Sequence, residues 1–257
     1  MRRDEVVVRS GYRVSYEVHG EGPPMMLVTG FMGSTQPWHD RGYVKRLEPH
    51  FTLIVVDPLG HGASDKPHDP ACYTMATCVA HLAAILDHEG IERIPVWGFS
   101  RGAIIAAGMA SLPEERRTCV ILQGWPAGAG YASVADALRE NEPLLAAGDW
   151  DSYFDRFPVP IPEPVRAMIR ANNDPAALAA VSRAMTSHPE DWARTASDLS
   201  IPSLVIIGDQ EPFLQTTLAE ARHGGATVAV IENADHVGSS VAIDAVLDAV
   251  LPFLASQ

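Results

Sequence analysis

The sequence G-F-S-R-G at residues 98–102 places a serine between two glycines, after an apolar run and before an alanine-rich one. A sharp turn from a strand into a helix leaves no room for side chains at Gly98 and Gly102, and it strains the residue between them. Ser100 would then begin a helix, where unpaired N–H groups and the helix dipole favour negative charge. These features make Ser100 a candidate nucleophile for acyl transfer.

A serine hydroxyl is a weak nucleophile and needs a general base, most often histidine. His236 follows the last predicted strand, in I-E-N-A-D-H, on a loop expected at the same sheet edge as Ser100. His81 and His88 lie in or near a predicted helix, and His223 ends another one, so surface or packing roles are expected for these three. His236 is therefore the predicted base.

A third group must orient the imidazole, and two acids follow the preceding predicted strand, in V-I-I-G-D-Q-E-P-F. Asp209 begins the turn, where an aspartate often bonds only its own backbone. Glu211 lies two residues further along, before Pro212. We favour Glu211 as the acid and keep Asp209 as the alternative.

The oxyanion of a tetrahedral intermediate needs two backbone N–H donors. Arg101 directly follows the serine and supplies one candidate amide. The second is assigned to Phe31, in the loop T-G-F-M-G-S-T that follows an apolar run, with Met32 as the alternative donor.

Apolar runs predict the strands that would position these residues. Two β-prone runs near the N-terminus favour an antiparallel pair. The later runs are continuous rather than alternating, as in strands covered on both faces, and helical stretches separate them. This alternation predicts a mostly parallel sheet with helices on both faces. The continuous runs are 25–30, 52–60, 94–100 and 117–125, followed by two more beyond residue 200.

Residues 126–200 contain helix-like pieces, broken by F-P-V-P-I-P-E-P-V, and no convincing strand. They are predicted to form an insertion over the edge where the strands end, which is where ligands bind in such sheets. The chain is thus expected to be one domain, with a core of residues 1–125 and 201–257. An apolar substrate pocket is expected from bulky side chains near the nucleophile and in the insertion, namely Met32, Phe99, Trp125, Trp150, Tyr153 and Phe154.

Composition narrows the possible partners. The 257 residues carry a formal net charge of −13 and no run of lysine or arginine, which argues against nucleic acid and anionic membrane surfaces. No targeting segment is visible, and no apolar stretch approaches the ~20 residues of a membrane span. The three cysteines form no C-x-x-C pair, so a reduced, cytoplasmic protein is expected. No motif for a metal or an organic cofactor is present, and the oligomeric state is not readable.

Together these residues resemble the α/β-hydrolase fold family over nearly the whole chain. The order Ser100, Glu211, His236 matches the family's order of nucleophile, acid and base. Residues 30–38 resemble its oxyanion loop, and residues 57–64 resemble a structural turn near the site, in which no catalytic histidine is expected. The resemblance implies an eight-stranded, mostly parallel sheet flanked by helices, with residues 126–200 as a helical cap.

Three positions depart from the family pattern. Thr29-Gly30 stands where His-Gly is often found, Glu211 stands where aspartate is usual, and Arg101 stands where Met, Leu or Gln is common. The longer glutamate is compatible with serine hydrolase activity. The charge of Arg101 would either assist an anionic substrate or form a salt bridge with a nearby acid.

The function implied is hydrolysis of a carboxylic ester or lactone, of a small to medium and partly apolar substrate, through an acyl-enzyme. Two relatives of that activity stay open, a homoserine-lactone lactonase and a C–C bond hydrolase or lyase of the same fold. A ligand receptor that keeps the three residues but does not turn over is the alternative of another class.

Overall fold

The apolar runs of the sequence form the strands of one eight-stranded sheet in the computed structural model, which describes residues 1–157 and 159–257. The strands are β1 (Arg2–Val7), β2 (Arg13–His19), β3 (Pro24–Val28), β4 (Thr52–Val56), β5 (Ile94–Phe99), β6 (Arg117–Gln123), β7 (Ser203–Gly208) and β8 (Thr227–Ile231). They lie in the order β1-β2-β4-β3-β5-β6-β7-β8. β2 pairs antiparallel with β1 and with β4, and the other neighbours pair in parallel. The predicted fold class is confirmed.

The continuous apolar runs arise because the central strands are buried on both faces. Successive side chains of a strand point to opposite faces. Along β3, Met26 and Val28 therefore pack into one hydrophobic core, while Met25 and Leu27 pack into the core on the other side of the sheet. A strand in this position has no solvent-facing side on which polar residues would alternate.

Twelve α-helices lie in the described residues. They are α1 (Gln36–Asp40), α2 (Tyr43–Leu47), α3 (Met75–Glu89), α4 (Arg101–Gly108), α5 (Tyr131–Ala146), α6 (Trp150–Phe154), α7 (Glu163–Asn172), α8 (Pro175–Ser187), α9 (Pro189–Trp192), α10 (Leu214–His223), α11 (His236–Val241) and α12 (Ile243–Ala255). Local capping sets both ends of α3, because the Thr74 side chain accepts the Thr77 N–H and Gly90 adopts a left-handed conformation. The helical stretch predicted between β3 and β4 is instead two short helices, separated by Gly42 at φ 85°.

Between β6 and β7, the described residues form α5–α9 and no strand. α7 begins inside the proline-rich run from which a break was expected. Pro164 lies in its first turn, where the absent N–H has no intrahelical partner to lose. Pro158, in the same run, lies outside the described residues.

The candidate residues follow strands that end at the same edge of the sheet. Ser100 follows β5, Glu211 lies in the loop after β7, and His236 begins α11 after β8. Because β3, β5, β6, β7 and β8 are consecutive parallel neighbours, their carboxyl ends lie side by side. The sheet thus carries residues far apart in sequence to one place.

The cysteines are free in the structure, as expected. Cys78 and Cys119 are buried and Cys72 is partly buried. Burial raises the pKa of Cys119 to about 12, so this thiol is unreactive near neutral pH. Over the described parts of the chain, no helix has both the length and the apolar character needed to cross a bilayer.

Candidate active site

The turn between β5 and α4 holds Ser100 in a strained backbone conformation, with φ 56° and ψ −120°. Few residues other than glycine adopt a positive φ, and such strain clusters at functional sites. The flanking glycines permit the turn: a Cβ at Gly98 would overlap the carbonyl group of Gly102, and a Cβ at Gly102 would overlap the carbonyl oxygen of Val28. The physical reason given for the two glycines is therefore confirmed.

Three side chains form a continuous series of hydrogen bonds. His236 Nε2 lies 2.9 Å from the Oγ of Ser100. On the other side of the ring, His236 Nδ1 lies 2.8 Å from Glu211 Oε1. The Glu211 side chain is fully buried, whereas 36% of the His236 side chain is exposed. The imidazole thus separates a buried carboxylate from a hydroxyl group at the sheet edge.

The two acids after β7 have different partners. Asp209 Oδ1 accepts the backbone N–H of Ala234 at 3.0 Å and so fixes the loop that precedes α11. Glu211 lies on the next turn, where its backbone N–H bonds the Gly208 carbonyl, and its carboxylate reaches His236. The structure brings Glu211, and not Asp209, onto the imidazole.

The loop after β3 lies against the nucleophile. A Cβ at Gly30 would be 3.1 Å from the Cβ of Ser100. Phe31 and Met32 follow, with Met32 at φ 60°. Within residues 1–157 and 159–257, the backbone N–H of Phe31 and that of Arg101 make no hydrogen bond. Two free amides are thus available on the two loops that meet at the serine.

A buried aspartate holds the loop after β3 in place through hydrogen bonds to its side chain. Asp57 accepts the backbone N–H of Thr35 at 2.7 Å and that of Ala63 at 2.9 Å. It therefore ties the loop after β3 to the turn after β4, as expected of a structural segment near the site. His61, in the same turn, stays neutral at pH 7, because burial and then the charge of Arg101 lower its pKa to about 3.

Most of the predicted pocket residues cluster beside the site. Tyr153 and Phe154 of α6 belong to a small hydrophobic core, against which Trp150, Phe31 and Met32 pack. Phe99 directly precedes the nucleophile, and its ring centroid lies 5.1 Å from that of His236. Trp125 is not part of either group: its side chain is fully buried in the main core above the sheet.

A family model described as alpha/beta hydrolase fold matches residues 23–172. The chain belongs to the α/β-hydrolase fold family.

Relatives of this α/β hydrolase have several activities. It is 28% identical to "Lipase 1" of Psychrobacter immobilis over 95% of this chain and 81% of the lipase. It is 26% identical to the "Putative carbamate hydrolase RutD" of Azorhizobium caulinodans over 93% of each chain. The solved enol-lactonase from Burkholderia xenovorans matches with a TM-score of 0.70 at 24% identity, covering 98% of this chain and 100% of the lactonase. This last likeness shows the fold alone.

Two residues at the carboxyl end of β6 position the α/β hydrolase site and were not singled out from the sequence. The backbone carbonyl of Gln123 accepts the N–H of Ser100 at 2.8 Å, and its side chain donates to the Ser239 carbonyl at 2.9 Å. Gly124 has φ 63°, and a Cβ there would be 2.8 Å from Cε1 of His236. A glycine inside the predicted apolar run 117–125 was the available signal.

Asn173, between α7 and α8, also reaches the site. Its side-chain amide donates to the carbonyl of Met32 at 3.0 Å and to that of Ile169 at 2.9 Å. The same amide therefore joins the helices that follow β6 to the loop that carries Phe31. No local sequence pattern predicts this contact.

A second histidine–carboxylate cluster lies at β2. Glu17 Oε2 is 3.0 Å from His19 Nε2 and 2.7 Å from His39 Nε2, and Glu17 also accepts from Arg3 and Thr35. Burial would raise the pKa of Glu17, but these donors outweigh it and hold the pKa at about 2. Four donors, one of them cationic, satisfy this carboxylate without a metal ion. Among the described residues, Asp4, His88 and Glu89 form a second trio with metal-ligand spacing, and Arg2 pairs with both Asp4 and Glu89.

Proposed function

We propose that this α/β hydrolase is a serine hydrolase that cleaves a carboxylic ester or lactone of a small to medium, partly apolar substrate through an acyl-enzyme. The observation that carries the proposal is the series of hydrogen bonds from Ser100 through His236 to Glu211. A base within hydrogen-bond reach of a strained serine, itself held by a buried carboxylate, is the arrangement that activates a hydroxyl nucleophile.

Each step of the reaction has a residue in place. Ser100 attacks the substrate carbonyl while Nε2 of His236 takes the hydroxyl proton. Glu211 holds the ring with Nδ1 protonated and stabilises the imidazolium. The backbone amides of Arg101 and Phe31 bind the oxyanion. His236 then protonates the leaving alcohol and activates the water that hydrolyses the acyl-enzyme.

The substrate class is inferred from the surroundings of the nucleophile. We infer that residues 126–200 act as a cap over the site, since α6 supplies the aromatic cluster against which Phe31 and Met32 pack. Such a surface favours an apolar acyl or alcohol group. The names of the lipase and carbamate hydrolase relatives are consistent with attack at an acyl carbonyl.

Hydrolysis of p-nitrophenyl acetate and butyrate by wild type and by Ser100→Ala tests the proposal. Wild type should turn over, and Ser100→Ala should lose about 10³-fold or more in kcat. A panel of lactones, homoserine lactones included, then separates esterase from lactonase activity. Absence of turnover, together with failure of a fluorophosphonate probe to label Ser100, would overturn the proposal and favour a receptor without turnover.

A further inference from the structure

The guanidinium of Arg101 is buried without a counter-ion. Only 2% of the residue is exposed. Its Nη2 makes one weak contact, 3.6 Å from the thiol of Cys78, while Nε and Nη1 have no hydrogen-bond partner in residues 1–157 and 159–257. No carboxylate of the described residues forms a salt bridge with it, so the structural pairing considered from the sequence is not found. A buried, unpaired charge is costly unless another group neutralises it.

Groups around Arg101 do not supply the missing negative charge. Burial raises the pKa of Cys78, so the contacting thiol is neutral near pH 7. Burial, followed by the charge of Arg101, lowers the pKa of His61 to about 3 and that of His81 to about 4. Both imidazoles are therefore neutral as well. His61 Nε2 also has no partner among the described residues, and it adds a second polar atom to the same region.

Arg101 lies between the nucleophile and the proposed cap. Its backbone follows Ser100 directly, and its guanidinium carbon is 5.9 Å from the centroid of the Trp192 ring at the end of α9. His61, close enough to feel its charge, lies edge-on to Phe31 of the oxyanion loop, with 6.0 Å between ring centroids. The cation is thus carried by the residue that follows the nucleophile and lies beside Trp192 of the proposed cap.

We propose that Arg101 is a specificity residue that binds a carboxylate carried by the substrate, so that the preferred substrates are anionic half-esters or carboxylate-bearing lactones. The terminal Nη1 and Nη2 of a guanidinium form a planar fork of N–H donors that matches a carboxylate. Among the described residues, Nη1 of Arg101 has no partner and Nη2 has only the weak contact with the Cys78 thiol. A monoanion balances the single charge of Arg101, whereas a phosphate dianion would leave a buried excess of negative charge. The inference rests on the proposed function for the carbonyl that Ser100 attacks.

Half-esters of short dicarboxylic acids provide the test. Hydrolysis of monoethyl succinate breaks the acyl C–O bond, adds the hydroxyl of water to the carbonyl carbon and gives the proton to ethanol. Ethyl 4-methylpentanoate has nearly the same shape without the charge. Wild type should favour the anionic ester by at least about 30-fold in kcat/KM, since hydrogen bonds between charged groups are the strong ones. Monoethyl malonate and glutarate then report the best distance between carbonyl and carboxylate.

Variants at position 101 assign the preference to the side chain. The ratio of the two kcat/KM values should fall to near one in Arg101→Met, and Arg101→Lys should be intermediate because it keeps the charge without the planar fork. Arg139→Gln removes an exposed arginine of α5 and should leave the ratio unchanged. Equal kcat/KM for both esters in wild type overturns the inference and leaves the proposed function intact.

A binding measurement tests, without turnover, whether Arg101 binds the substrate carboxylate. In Ser100→Ala, monoethyl succinate should raise the Tm, and Ser100→Ala/Arg101→Met should show no such rise. Sodium chloride at the same concentration serves as a free anion. An equal rise with chloride would mean that Arg101 holds an inorganic ion, and would overturn the assignment to a substrate carboxylate.

Discussion

Two buried glutamates of this α/β hydrolase face histidine, and their surroundings differ. Glu17 accepts hydrogen bonds from four residues: Arg3, His19, Thr35 and His39. Glu211 accepts from His236 alone, and its Oε2 has no partner among the described residues. Through these hydrogen bonds, the Glu17 carboxylate holds β2 to neighbouring segments of the chain. The carboxylate of Glu211 contacts a single imidazole, whose other nitrogen faces Ser100.

The comparison separates a carboxylate that stabilises the fold from one that prepares a reaction. Burial and contact with histidine are common to both. The distinguishing features are a cationic partner at Glu17 and, at Glu211, an imidazole whose other nitrogen lies on the Oγ of Ser100. Changing each glutamate should therefore affect different quantities.

The largest effect on turnover is expected for Glu211→Gln. Glutamine keeps the size of the side chain but removes the charge that stabilises the imidazolium, so kcat for p-nitrophenyl butyrate should fall by about 10³-fold or more. Asp209→Asn is the matched control at the same loop. Its kcat should stay within about threefold of wild type, since Asp209 contacts the loop that precedes α11 and not the imidazole. Equal losses in the two variants would contradict the assignment of the acid.

An intermediate effect is expected for Gly124→Ala, which moves the imidazole instead of its carboxylate. The new Cβ would lie 2.8 Å from Cε1 of His236. Displacement of the ring should lower kcat by about 10–100-fold. Gly225→Ala has the same backbone strain, at φ 72°, with nothing within 4 Å of the added Cβ. Both variants should lose about 1 kcal/mol of unfolding free energy, and only Gly124→Ala should lose turnover. A similar kcat loss at Gly225 would argue against a role for ring position.

The smallest effect on turnover is expected for Glu17→Gln, which should instead lower the free energy of unfolding. The folded pKa of about 2 lies below the ordinary value of 4.5. The ionised carboxylate therefore stabilises the protein above about pH 4.5, and this stabilisation is lost as pH falls from about 4.5 to about 2. Chemical denaturation at pH 7 should show a loss of about 1–3 kcal/mol, shrinking toward acid pH.

The control for this variant is Glu115→Gln, which neutralises an exposed glutamate. Its stability should be within about 0.5 kcal/mol of wild type at every pH, as for most surface substitutions. A large kcat loss in Glu17→Gln with unchanged stability would reverse the comparison between the two glutamates.

Local sequence patterns predicted the sheet and the residues at its edge. Continuous apolar runs indicated the parallel strands, and the position of Ser100 between two glycines indicated the strained turn that the structure has. The sequence favoured Glu211 over Asp209 as the acid but did not exclude Asp209, because both residues follow the same strand within three positions. What separates them is which carboxylate reaches His236 in space.

Other features depend on contacts between distant segments. Gly124 is a glycine because His236 lies against it, and the unpaired state of Arg101 depends on which acids the fold brings near. No spacing in the chain encodes either fact. The start of α7 was missed for a local reason instead: prolines read as a break are also compatible with the first turn of a helix.

The Asn173 amide links α7 to the loop after β3. It is bonded at once to the last turn of α7 and to the carbonyl of Met32, one residue beyond the amide of Phe31. A tilt of α7 must therefore either break this bond or shift the loop with it. A substrate that displaces α7 on entry would thus shift the proposed oxyanion donor, so that occupancy of the proposed pocket and alignment of the reacting carbonyl would be coupled.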